Sequence, residues 1–383
     1  MNWIKSDILI NSMLLSILFF YFGCEKSNLN DIQVVKTNDI LVDSLATQET
    51  VALYTNLQAL ANNKFLFGHQ ETLAYGVGWV NDGTGNQSDV KAVCGDFPAV
   101  YGWDIGDIHL EHNVDSVPFS EIKSLIKIAY NKGGINTISI HQDNPITGEN
   151  AWDNTPAVDK ILPNGSHHTE YTKRLDLIAD FLLDLKTDDG IYIPIIFRPY
   201  HEHNQTWPWW GKEACNESEF IDLWKMTIKY LRDVRGIHHL IYAISPQDVK
   251  TASSYFERYP GDDYVDVLGY DYWRWSLDSD YVSFLGEALD MLGKEAQKRG
   301  KIAALTEAGF DTLPIDDWWT NYLLKALEYS DASENIAWAL VWRNARKSHF
   351  HAPFPGQQSA ANFIDFYKHP KTVFEKDLPD MYQ

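Results

Sequence analysis

The stretch FRPYHEHNQTWPWWG at 197–211 sets Arg198, His201, Glu202 and His203 beside Trp207, Trp209 and Trp210. A second glutamate, Glu307, ends the apolar run IAALTE at 302–307. A carboxylate closing so apolar a segment needs a partner or a chemical task. Two carboxyls facing each other across an aromatic-walled cleft are the equipment for cleaving a glycosidic bond. One protonates the leaving oxygen, while the other attacks the sugar carbon or activates water. Tryptophan faces supply platforms on which pyranose rings can stack.

What must position these side chains is legible in the rest of the chain. Short apolar runs at 64–70, 97–107, 134–145, 191–202, 238–247, 264–273, 301–310 and 336–345 are rich in Ile, Val, Phe and Tyr and end in polar or aromatic residues. Such runs predict buried strands. Between them, segments at 121–133, 171–186, 219–236, 282–300 and 318–330 carry apolar residues at helical spacing, as in Ile122, Leu125, Ile126 and Ala129. Three of these segments end in Gly133, Gly236 or Gly300, as helices often do. The alternation predicts one α/β domain, a (β/α)8 TIM barrel. A doubly wound sheet would show a glycine-rich turn after its first strand, and FGHQETLAYG at 67–76 is not one.

Barrel active sites form at the C-terminal ends of the strands. Those ends hold His69, Trp103, Asp104, His141, Arg198, His201, Glu202, Gln247, Asp271, Glu307 and Trp342. Glu202 follows the fourth run and Glu307 the seventh, on opposite sides of the mouth, so both can point toward the barrel axis.

Charge narrows the ligand. The chain carries 53 acidic and 32 basic residues, a net charge of -21, which argues against nucleic acid or an anionic membrane surface as partner. A neutral polysaccharide or oligosaccharide fits, and 14 Trp and 20 Tyr favour a stacking ligand. The spacings C-x-x-C and H-E-x-x-H do not occur, and neither metal nor organic cofactor is expected. One rival is a metal-dependent hydrolase built on His201-x-His203 with His141. Such a site usually adds a carboxylate, whereas the eighth run ends in Trp342-Arg343. Another rival is a non-catalytic glycan-binding protein, which would not need two opposed glutamates.

The motifs RPYHEHNQTWPWWG, HQDNP, YPGDDYVDVLGYD, ALTEAG and LVWRNA, spread from Phe67 to Pro355, resemble glycoside hydrolase family 26, whose best-known members are β-mannanases. The resemblance implies a retaining mechanism with Glu202 as acid/base and Glu307 as nucleophile. It implies that Arg198 braces the carboxylates, and that His141, Trp207 and Trp342 line the sugar subsites. His201 stands where many relatives in the clan have Asn. Asp271-Tyr272 corresponds to an Asp-x-Tyr region whose tyrosine approaches the nucleophile, although here the order is Asp271-Tyr272-Trp273. Pro208 also departs from the usual aromatic there. The activity implied is an endo-β-1,4-mannanase. Exo-release of disaccharides, or cleavage of mixed-linkage β-glucan or β-1,3-xylan, stays open.

At the N-terminal side, Lys5 precedes an apolar run at 8–24 that ends Gly23-Cys24, followed by the polar EKSNLNDIQ. The run is short for a membrane span and reads as an export signal. Gly23-Cys24 resembles a bacterial lipobox in which Cys24 becomes the lipidated first residue; an ordinary cleaved signal is the alternative. The expected organisation is a signal segment at 1–23, a polar tether at 24–45 and a catalytic domain at 46–383. The mature chain is expected to be monomeric and to meet a membrane through its lipid anchor only. Cys94 and Cys215 remain, and their spacing does not say whether they pair.

Overall fold

The computed structural model describes residues 40–62, 64–274 and 280–383. The signal segment and Cys24 lie outside the described residues.

Eight parallel strands form the barrel: β1 Phe65–Gln70, β2 Val100–Asp104, β3 Ile135–Ser139, β4 Ile195–Arg198, β5 Leu240–Ile244, β6 Val267–Arg274, β7 Ile302–Phe310 and β8 Ile336–Val341. Each pairs in parallel with the next, and β8 closes on β1 with Trp338 opposite Leu66 and Val341 opposite His69. Seven strands fall inside one of the eight apolar runs, and β6 overruns its own by one residue, Arg274.

Alternation along each strand sorts the core into two layers. Leu66, Val100, Ile196, Ile241, Val267, Ala304 and Leu340 fill the barrel interior. Helix Gln48–Leu60 plugs its N-terminal end with Leu53, Tyr54 and Leu57. Phe67, Trp103, Ile138, Ile195 and Leu268 face outward to the helices. Each large apolar side chain buried this way contributes about 1.5–3 kcal/mol. Trp103 therefore belongs to packing: its Nε1 donates to Asn136 Oδ1 at 2.8 Å, beneath the helical layer.

The packed domain starts earlier than residue 46. Leu41 is buried in the inner cluster, Val42 N donates to Asp266 Oδ1 at 2.7 Å, and Asp43 pairs with His238 at 2.8 Å. Sequence pattern alone read these residues as tether because so short a segment carries no periodicity. Both described cysteines are free.

One irregularity matters for the site. Tyr270 pairs with Leu305 and Asp271 with Glu307, so Thr306 is an extra residue in β7. This bulge turns two successive side chains inward. Thr306 Oγ1 donates to Asp271 Oδ1 at 2.7 Å, while Glu307 accepts from Arg198 Nη2.

Candidate active site

The C-terminal mouth of the barrel opens into a cleft of about 510 Å³ lined by His141, Trp152, His201, Glu202, Trp207, Gln247, Trp273, Glu307, Trp342 and His349, with Val114, Asp115 and Arg343 at its edge. That volume suits a few sugar rings.

Glu202 is held by its backbone. Tyr200 (φ 53°) and Glu202 (φ 52°) both adopt the left-handed conformation, a strain of about 1–3 kcal/mol per residue that persists only where surroundings enforce it. They are enforced here. Glu202 N donates to Ser245 O at 2.7 Å, and Trp210 Nε1 donates to His201 O at 2.8 Å. Trp209 Nε1 donates to Gln142 O at 2.8 Å. Buried Trp209 and Trp210 thus serve as scaffold, leaving Trp207 as the wall.

The Glu202 carboxyl is buried. Trp207 Nε1 donates to Oε2 at 2.6 Å. With its amide nitrogen turned toward the acid, Gln247 donates to Oε2 at 2.9 Å and Oε1 at 3.2 Å. Burial first, then the negative charges of Glu307 and Asp271, push the Glu202 pKa well above the ordinary carboxylate range. The group is set to carry a proton.

Glu307 lies across the mouth in a different environment. Arg198 bridges Glu307 and Asp271, donating to Asp271 Oδ2 at 3.0 Å and to Ser245 Oγ at 2.9 Å. One carboxylate oxygen from each of Glu202, Asp271 and Glu307 lies within 4.8 Å of the other two. The cation serving this triad is the Arg198 guanidinium. Burial opposes that charge, but the Asp271 and Glu307 carboxylates outweigh it and hold the Arg198 pKa above its usual value. Burial raises Asp271 to about 7. Arg198 and Asp271 are almost wholly enclosed and stand below the cleft floor. Their position is one of bracing rather than of contact with a ligand.

His141 forms the third corner. Asp104 Oδ2 accepts from its Nδ1 at 2.8 Å, and Asp104 in turn accepts from Ser139 Oγ (2.9 Å) and Gly106 N (2.7 Å). Burial alone would lower the His141 pKa, but Asp104 outweighs it and raises it. The His141 ring stacks at 5.2 Å on Trp152 and 5.8 Å on Trp207, and lies 4.6 Å from His201. His201 Nδ1 has no hydrogen-bond partner among the described residues. Burial drives its pKa well below the usual value, so the ring is neutral.

The structure separates residues that the sequence grouped. His203 stacks on Phe220 at 4.4 Å and is turned away from His201 and His141, so the three imidazoles do not converge. His69 is buried against Thr72 at 2.9 Å. Tyr272 does not line the cleft: it faces outward on β6 against Tyr281 (5.2 Å) and Phe284 (5.5 Å). The one-residue step of the strand gives that wall to Trp273 instead. Trp152 went unrecognised because it sits in the polar loop ENAWDNTP at 149–156. A lone tryptophan among polar residues was the available signal, and the structure leaves it 56% exposed.

Comparison with known proteins follows this geometry. The chain is 35% identical over 302 residues to a mannan endo-1,4-beta-mannosidase of Bifidobacterium adolescentis, covering 75% of this chain and 29% of that protein. It is 34% identical over 197 residues to one of Bacillus subtilis, covering 48% of this chain and 52% of that protein. The matched stretch thus spans at most about half the length of these two relatives. Among solved structures, a GH26 beta-mannanase from Bacteroides ovatus superimposes with TM-score 0.84 at 41% identity, covering 88% of this chain and 98% of that one. A modular endo-beta-1,4-mannanase from Cellulomonas fimi gives 0.83 at 33%, covering 89% and 79%. The family model for glycosyl hydrolase family 26 matches residues 42–313, well over half of the sequence, and the chain belongs to that family.

Proposed function

We propose that this chain is a retaining endo-β-1,4-mannanase, acting on plain or galactose-decorated mannan, with Glu202 as acid/base and Glu307 as nucleophile. The observation that carries the mechanism is the pairing of a proton-holding Glu202 with an Arg198-bound Glu307 whose carboxylate oxygens come within 4.8 Å. Retaining enzymes place these groups about 5–5.5 Å apart, whereas inverting ones leave about 6.5–9.5 Å for a water. Glu307 attacks the anomeric carbon as Glu202 gives its proton to the departing oxygen, which leaves as an alcohol. Glu202, now a carboxylate, takes a proton from water, and the resulting hydroxide equivalent breaks the sugar–Glu307 ester. Both glutamates return to their starting states.

Mannose is favoured by the names of the related proteins, and one feature of the site supports it. Mannose differs from glucose by an axial 2-hydroxyl, and neutral His201 lines the cleft at the place before the acid. A site built to bond one hydroxyl rejects analogues by up to ~10⁴–10⁵-fold. Initial rates on unbranched mannan, barley β-glucan and xylan test the reading. Mannan should lead by at least ~100-fold in kcat/KM, within that range. Comparable rates on barley glucan contradict the substrate while leaving the two-glutamate chemistry intact. Early products of mixed lengths support internal cleavage, and disaccharide alone contradicts it.

The same reading includes export, with Cys24 as the lipidated N-terminus and the domain tethered to a membrane. Its support is the apolar run at 8–24 and the Gly23-Cys24 pair. An intact mass of membrane-extracted protein carrying acyl chains on Cys24 is expected. An unacylated mass with a different N-terminus contradicts it.

A further inference from the structure

Outside the two-glutamate machinery, one cluster of metal-competent side chains has no assigned task. Asp311 follows β7 directly, four residues past Glu307, and His349 and His351 sit in the loop after β8. Asp311 Oδ1 lies 3.3 Å from His349 Nδ1 and 3.7 Å from His351 Nε2. All three ligand atoms fall within 4.8 Å of one another. Ligands bound at 2.0–2.1 Å around a tetrahedral ion stand roughly 3.4 Å apart, so the triangle is already close to the right size.

The hydrogen bonding of His351 leaves room for a cation between its ring and Asp311. Its side chain is completely buried, and its Nδ1 donates to Arg343 O at 3.2 Å. That bond fixes the tautomer and leaves a bare lone pair on Nε2. Nε2 has no hydrogen-bond partner and is aimed at Asp311 Oδ1, a second acceptor that is likewise shielded and without a hydrogen bond. The Arg343 guanidinium is engaged elsewhere, with Asp115 at 2.5 Å and Tyr75 at 3.4 Å. Metal-binding histidines typically donate their other ring N–H to a carbonyl, as His351 does here.

We propose that Asp311, His349 and His351 form a three-ligand site for a divalent transition ion of the zinc class, clamping the loop after β7 to the loop after β8 at the cleft rim. Two imidazoles and one carboxylate suit zinc and its neighbours rather than calcium or magnesium, which prefer all-oxygen shells. The frame is already rigid. Thr312 N donates to Phe350 O at 2.9 Å, and Asn344 Oδ1 accepts from His351 N (3.0 Å) and Ala352 N (2.9 Å). The clamp reaches the sugar cleft in two ways. His349 is itself a wall residue. His351 packs edge-on against Trp273 at 5.1 Å, and Trp273 packs against Trp342 at 5.9 Å. Fixing the ion would fix that wall. It takes no part in bond cleavage.

The test uses the untagged full chain, stripped with chelator and then given Zn²⁺ or Co²⁺. After removal of free metal, about one Zn²⁺ per chain should remain, with a raised Tm, because binding favours the folded state. Co²⁺ should give the visible absorption of a four-coordinate nitrogen–oxygen site. His349→Gln and Asp311→Asn, both at partly exposed positions, should each weaken Zn²⁺ binding by at least ~10-fold. Zn²⁺ retained equally by both variants would place the ion elsewhere, for instance on the Glu202–Asp271–Glu307 triad, and overturn the proposal. Absence of retained Zn²⁺ and of a Co²⁺ spectrum in the unmutated chain overturns it without recourse to any variant.

Discussion

Trp207 donates its indole N–H to Glu202 Oε2 at 2.6 Å, so the wall of the cleft and the proposed acid are one hydrogen-bonded unit. A donor to a carboxylate favours its charged form, and this one partly offsets the burial that raises the Glu202 pKa. Trp207→Phe keeps an aromatic face and removes the donor. The Glu202 pKa should then rise further, moving the alkaline limb of the kcat profile to higher pH, because the acid must be protonated to act. A limb that stays in place or moves down contradicts the acid assignment.

The same burial gives a stability signature. A carboxyl whose folded pKa exceeds its unfolded value of about 4.3 holds its proton longer when folded, so stability falls as pH rises through the interval between the two. Glu202→Gln removes that loss. Its Tm should match the unmutated chain near pH 4 and exceed it by a growing margin as pH rises above that. Thermal melts across this range check it; a margin that is constant or reversed argues that Glu202 is not held protonated.

Much of this arrangement was readable from residue order. The eight apolar runs, each ending in a polar or aromatic residue, fixed the strands and put Glu202 and Glu307 at facing ends of the barrel. Other features depended on information a one-dimensional pattern lacks. The Thr306 bulge changes which β7 residues face inward only through pairing with β6, whereas Tyr272 outward and Trp273 at the cleft follow from plain alternation past Asp271 along β6. Asp104 under His141 is a contact between neighbouring strands, 37 residues apart in sequence. Trp152 comes from an irregular loop, whose path no periodicity encodes. Leu41 shows the same limit at the domain edge, where one buried side chain marks the start.

Trp152 stacks on His141 at an interplanar angle of 17° and approaches Trp207 at 5.5 Å, yet touches neither glutamate in the described contacts. Its contribution should be to binding rather than to chemistry. Trp152→Ala should raise KM by roughly 2- to 10-fold, the equivalent of a lost aromatic contact of about 0.5–1.5 kcal/mol, with kcat nearly unchanged. A comparable fall in kcat with constant KM would show that Trp152 orients the reacting groups instead.

The most direct test of the account is capture of the covalent intermediate. Glu202→Ala slows the second step by removing the base, and a 2-fluoro mannobiosyl fluoride supplies a leaving group that needs no acid. Intact-mass spectrometry of this variant after reaction, followed by peptide mapping, should find one fluorinated disaccharide per chain, esterified to Glu307 and released by added azide, an anion that needs no base to attack. Labelling at another residue, or turnover that yields the inverted anomer with no adduct, would contradict Glu307 as the nucleophile and the retaining mechanism with it.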